Sequence, residues 1–325
     1  MKNTKQTITV LAYASSCILA TGITLLTGQI AQAGQNINNW NISLDSGNDS
    51  LFTSPGNKTF ELYAMGTKED EQYFYVGING NLPVTGLNTG PQVCNTTNGN
   101  CFNISNQNIG YGDFFLDFSN QNNFLNASNS HSLIGVRFAG NNDSKISGTG
   151  IFDHVKATDV EKQNGGYWNF GYHNQVVTQQ GGTASLGDLA WNDAYYAPYN
   201  GSWTSNPVPN VIESGNKIGD ITLLNSAELA NAGFDLSSLG QKGSETFGFK
   251  FAKSLLPIGQ YLATLILECN NDAIALRGET TKIIVERPRE VPEPSSLFGL
   301  MTTALILVAS KFCQPHQLKF SKHKN

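Results

Sequence analysis

Through the middle of this 325-residue chain, apolar side chains recur at every second position in short runs, separated by Gly, Asn and Asp. That period of two marks half-buried strands. Phe60-Glu-Leu-Tyr-Ala-Met carries it, and Tyr73-Phe-Tyr-Val-Gly-Ile puts Phe74, Val76 and Ile78 on one face. The charged turn at 67–72 between them predicts a hairpin. Asp113-Phe-Phe-Leu-Asp-Phe sends Phe114, Leu116 and Phe118 inward and leaves Asp113 and Asp117 on a solvated face. Further strands are predicted around Trp40, at 133–139, 151–155, 218–224 and 261–269, and where Phe247, Phe249 and Phe251 alternate. Short segments at 273–276 and 282–286 close the series. One short helix is expected, with Asn225 as cap, Glu228 three residues on, and Gly233 as stop. Residues 198–209 have no periodicity. These elements predict an all-β fold: an antiparallel β-sandwich, jelly-roll-like, with one short helix.

The pattern changes at both ends. Residues 1–33 carry Lys2 and Lys5, a long apolar stretch, and Ala31-Gln32-Ala33. This positive, apolar, small-x-small order is that of a secretory signal peptide, with the cut expected after Ala33. The other end has Val291-Pro292-Glu293-Pro294, then an apolar segment that starts at Leu297 and ends at Phe312, then Lys319, Lys322 and Lys324. A stable span needs about 20 apolar residues, so this segment can contact a membrane but makes a short anchor. The expected division is a leader at 1–33, an ectodomain at 34–290 and a sorting segment at 291–325.

Pro292-Glu293-Pro294, an apolar stretch and a basic tail resemble the PEP-CTERM sorting signal of Gram-negative bacteria. The resemblance implies an exosortase partner in addition to signal peptidase, transient anchoring in the inner membrane, and delivery to the cell surface or extracellular matrix. The tail here is lysine-rich and rather long, where a compact arginine cluster is usual. Trp40 through Asp49, the Phe247–Phe251 alternation, Leu256-Pro-Ile-Gly and Glu268-Cys-Asn-Asn-Asp-Ala-Ile-Ala-Leu are also similar to exosortase-dependent bacterial surface proteins. In that family a β domain precedes the sorting signal, and no established reaction comes with it.

Charge narrows the partners. Setting aside two leader lysines, four tail lysines and Glu293 leaves 14 basic and 24 acidic side chains, a net of −10. Nucleic acid is excluded, because its recognition needs clustered Lys and Arg. Three cysteines remain in the ectodomain. Cys94 and Cys101 enclose a turn-forming insert and are disulfide candidates in an oxidising compartment, while Cys269 reads as a buried thiol.

No catalytic residues emerge. His131, His154 and His173 have no metal-binding spacing, and no Gly-x-Ser-x-Gly elbow is present. Asp113 and Asp117, four residues apart on a strand, stand about 13 Å apart, too far for a carboxylate pair. The chain reads as a surface protein without catalysis and without an obligatory cofactor, with a carbohydrate-binding module of the exopolysaccharide layer as the alternative and a secreted hydrolase as the third, less favoured reading. Calcium is the one cofactor considered, at Asp45, Asn48 and Asp49, with Asn142 and Asp143 as a second oxygen-rich turn. Extracellular polysaccharide is the alternative partner, through Trp168, Tyr172, Trp191, Tyr195 or Trp203, since rings stack on sugar C–H faces while Asn and Asp meet hydroxyls. The competing role for those rings is to fill a core between loops.

Overall fold

A computed structural model describes residues 34–50, 58–94, 101–202 and 205–282. The chain divides into two compact units, Met1–Thr281 and Lys282–Asn325. Of the second, only Lys282 is described. The leader, the segment 282–286 beyond Lys282, Pro292, Glu293, Pro294 and the apolar segment after them lie outside the described residues. Among the described residues no helix is long and apolar enough to cross a membrane.

The first unit is built from antiparallel sheets. Strands β1 (Gln35–Ile37), β2 (Trp40–Leu44), β3 (Leu62–Glu69) and β4 (Tyr73–Gly80) form a meander. Strands β5 (Tyr111–Asp117), β6 (Leu133–Arg137), β7 (Gly150–Thr158) and β8 (Val211–Gly219) form a second meander in another sheet. The chain then returns to the first sheet for β9 (Thr222–Leu224) and β10 (Glu245–Ala252), and to the second for β11 (Gly259–Leu267) and β12 (Ala273–Thr280). The strand orders are β1-β2-β3-β4-β10-β9 in sheet one and β8-β7-β6-β5-β11-β12 in sheet two.

A β-sandwich fits this arrangement, because one hydrophobic cluster draws on both sheets. Phe74, Val76, Ile78, Phe249 and Phe251 of sheet one are buried with Phe114, Leu116, Val136 and Leu265 of sheet two. The rings of Phe114 and Phe249 meet edge to face at 5.5 Å, and Phe138 stacks on Phe249 at 5.1 Å. Each such buried side chain contributes about 1.5–3 kcal/mol. The β3–β4 hairpin turns where predicted, and Asp70 Oδ1 accepts from the amides of Gln72 and Tyr73 there. The connectivity is not that of a jelly roll. Successive strands in a jelly roll alternate between sheets, whereas here β1 to β4 stay in sheet one and β5 to β8 in sheet two, and only the later strands cross over.

Both outer faces are also covered, which corrects several expectations. Three α-helices appear among the described residues: α1 (Phe124–Asn129), α2 (Phe170–Gln179) and α3 (Ser226–Asn231). The predicted one is α3, with its Asn225–Glu228 capping box. The other two are capped by Asn123 and Asn169 but present little apolar periodicity; α2 buries only Phe170, His173 and Val177. They pack with the 3-10 segment Ala194–Tyr199 over Phe115, Phe152 and Leu262 of sheet two. Helix α3 and Phe234 cover Trp40 and Ile42 on sheet one. Asp113 and Asp117 do not form a solvated face; they are 0% and 7% exposed. Asp113 is buried and accepts from Ile212 N, Ser144 Oγ and Asn142 Nδ2.

The strand expected at 218–224 is split. Its first residues end β8 in sheet two and its last form β9 in sheet one. Strand β8 escapes the hydrophobic pattern because it is an edge strand, where exposed polar residues such as Glu213 and Lys217 are favoured.

Candidate metal centre

Three chain segments bring four acids together. Asp45 and Asp49 follow β2, Glu61 immediately precedes β3, and Asp272 sits in the turn between β11 and β12. One ligand oxygen from each of Asp45, Asp49 and Asp272 lies within 4.8 Å of the others. Glu61 adjoins them, its Oε1 facing the Asp49 amide at 3.4 Å. Asp49 and Glu61 are fully buried, Asp272 is 1% exposed, and Asp45 is half-buried.

Backbone donors position these carboxylates. Ser185 N donates to Asp49 Oδ2 at 2.8 Å, and Leu62 N donates to Asp272 Oδ2 at 2.6 Å. Gly187 N donates to Asp45 Oδ1 at 3.1 Å, joined by Ser185 Oγ. Ser185 and Gly187 belong to a tight hairpin, Ser185–Leu186 with Leu189–Ala190. Gly187 has φ 62°, and a Cβ there would meet Ser43 Oγ at 2.3 Å and the Ala275 carbonyl at 2.7 Å. Only glycine lets the hairpin approach so closely. His173 closes the back of the site, its ring Nε2 lying 2.8 Å from the Asp49 carbonyl oxygen.

The hydrogen bonding is incomplete. Asp45 Oδ2, Asp49 Oδ1 and Glu61 Oε2 are buried and have no hydrogen-bond partner among the described residues. No ion pair among the described residues involves any of the four acids. Lys58 favours the ionised form of Glu61, but its ammonium donates to the Gly47 carbonyl at 2.6 Å. Burial pushes Asp45 up to about 6 and Glu61 up to about 7. Burial, then the neighbouring carboxylates, drives Asp49 and Asp272 well above the ordinary range. Burial lowers His173 to about 4, so it is neutral here. Buried carboxylates either hold protons or surround a cation, and this set supplies only oxygen, the ligand preferred by hard cations.

The sequence located this site in part. Asp45 and Asp49 belong to it. Asn48 does not; it is exposed, and its Oδ1 accepts from Ser46 Oγ and Thr183 N. Asn142 and Asp143 are engaged elsewhere. Asn142 bonds Arg137 and Asp113, and Asp143 accepts from Ser105, Asn106 and Asn164. Glu61 and Asp272 were missed, although each is an acid set against an apolar strand, an arrangement that itself signals a special environment.

The ring residues are dispersed. Trp168 donates through Nε1 to the Ser205 carbonyl and carries Lys162 over its face at 4.5 Å. Tyr172 packs on Tyr167, and Tyr195 on Phe124 and Tyr196. No ring contact among the described residues joins Trp168, Tyr172, Trp191 and Tyr195 into one platform. Trp203 lies outside the described residues. Cys94 and Cys101 form a disulfide across the hairpin Gln92–Cys94 and Cys101–Asn103. Cys269 is free and buried, its thiol pushed up to about 12 by burial. No family model, curated protein or solved structure matches the chain.

Proposed function

We propose that this chain is a surface protein without catalysis, matured by signal peptidase and an exosortase, whose β-sandwich is completed by a calcium ion bound to Asp45, Asp49 and Asp272. The observation that carries the calcium reading is the set of buried carboxylate oxygens left without donors. A cation would compensate the carboxylate oxygens that the backbone donors and Lys58 leave without a partner among the described residues. Calcium suits it better than zinc, because the acids offer oxygen and no thiolate, and His173 is turned to a carbonyl. Magnesium demands near-octahedral geometry and keeps several waters, which a buried cluster accommodates poorly.

The ion acts as a clasp. Its ligands come from the segment after β2 in sheet one and from the β11–β12 turn in sheet two. Holding them together closes one edge of the sandwich. The leader, the Pro292-Glu293-Pro294 motif and the basic tail support the export reading, and the Cys94–Cys101 disulfide accords with an oxidising destination. Thermal unfolding in calcium against chelator tests the clasp, with no difference ruling it out. Mass spectrometry of surface-extracted protein tests the maturation, and an intact cytosolic product rules that out.

A further inference from the structure

A second site lies on the outer face of sheet two. Leu262 pairs with Asp117 of β5 on one side and Arg277 of β12 on the other, so these three side chains form one row across three strands. Their neighbours two residues away, Phe115 and Ala275, belong to the outer cluster with Leu262, which fixes the face. Gln260 and Glu279 form the next row. Tyr195 and the turn bearing Asn120 and Gln121 wall this area into a groove of about 450 Å³.

The groups in the groove are unequally occupied. Asp117 is satisfied by Ser119 and by Tyr195 Oη at 2.7 Å, which sets the tyrosine ring against the groove. Arg277 is the exposed charge: its side chain is 61% exposed, and its one ion pair among the described residues, to Asp193, is long at 3.7 Å. Asn120, Gln121, Gln260 and Glu279 are exposed. The groove thus sets an apolar floor at Leu262 and a ring at Tyr195 among closely spaced donors and acceptors.

We propose that this groove binds a neutral oligosaccharide. Sugar hydroxyls both donate and accept at close intervals, as the amides, Arg277 and Glu279 require, while a C–H face rests on Leu262 and Tyr195. A uronic acid is disfavoured because Asp117 and Glu279 outweigh the single guanidinium. Strand addition by a peptide along β12 is obstructed: the Ala275 carbonyl is taken by Asp188 N and Ser43 Oγ, and that of Arg277 by Asn41 Nδ2. This site is separate from the acidic cluster and does not depend on the calcium reading.

The test uses the full chain in calcium-containing buffer on an array of neutral gluco-, manno-, galacto- and xylo-oligosaccharides alongside uronic ones, followed by calorimetry on the best binder. Arg277→Ala and Gln260→Ala change exposed side chains, and circular dichroism checks that each remains folded. The expected result is binding of a neutral oligosaccharide that Arg277→Ala weakens roughly tenfold or more, the scale of one lost charged hydrogen bond, and Gln260→Ala by about two- to tenfold, the scale of a neutral one. Three results overturn the proposal: no neutral ligand, binding of uronic sugars alone, or a neutral ligand held equally well by both variants.

Discussion

Replacing Asp45 by Asn separates the two roles a buried acidic cluster can play. Burial raises the Asp45 pKa from 3.8 to about 6. At pH 7.5 without calcium the ionised carboxylate therefore costs about 3 kcal/mol, at roughly 1.4 kcal/mol per unit. Asparagine has nearly the same shape, and its Oδ1 can still accept from Ser185 Oγ and Gly187 N. Its amide can donate toward Asp272, where two carboxylates otherwise face each other. The calcium-free variant should be more stable than the parent by about 1–3 kcal/mol, the lower figure allowing for the partial exposure of Asp45. For a domain of this size each kcal/mol moves Tm by about 2–4 °C. Calcium at a hundred times its Kd should stabilise the parent by about 2.7 kcal/mol and the variant by almost nothing. Calorimetric melts in EGTA and in calcium chloride measure all four values. A variant that melts lower than the parent in EGTA, or that keeps the full calcium shift, refutes the reasoning.

Other outcomes follow from the same structure. In EGTA, stability should fall as pH rises from about 4 to 7, because Asp45 and Glu61 keep protons in the folded state that the unfolded chain releases; calcium should flatten or reverse this slope in denaturant titrations. His173 works in the opposite sense: its folded pKa of about 4 is below the ordinary value, so its contribution is lost as pH falls from about 6.5 toward 4. His173→Gln should therefore steepen the slope across that window. Phe249→Ala should cost about 3–5 kcal/mol in urea unfolding, since Phe249 is fully buried against Phe114, Phe138 and Phe251. Replacing Cys94 and Cys101 by Ser should cost no more than about 2–3 kcal/mol, as the bridge closes a loop with a separation of only seven.

The strands of the shared core were legible wherever one face met the core and the other met polar groups. Phe74, Val76 and Ile78, and the three phenylalanines of β10, show the period of two because only one of their faces is strongly apolar. Legibility failed where packing on the outer faces decided the outcome. Asp113 and Asp117 look solvated along the chain, but Asn142, Ser144 and Ile212 engage the first and Ser119 and Tyr195 the second, all of them brought there by the fold. Helix α2 is too polar to announce itself, and its burial rests on Phe170, His173 and Val177. Strand β8 lacks alternation because it lies at an edge. The acidic cluster was half visible for a related reason. Asp45 and Asp49 are neighbours in sequence, whereas Asp272 joins them through the pairing of distant strands, which no local pattern encodes.

Calcium stoichiometry tests the central claim most directly. Equilibrium dialysis of the purified full chain against radioactive calcium, at neutral pH, should give about one tightly held ion per chain. The ion should be lost when Asp45, Asp49 and Asp272 are together changed to Asn. A parent chain that binds no calcium, with its cluster carrying protons at neutral pH, would contradict the account.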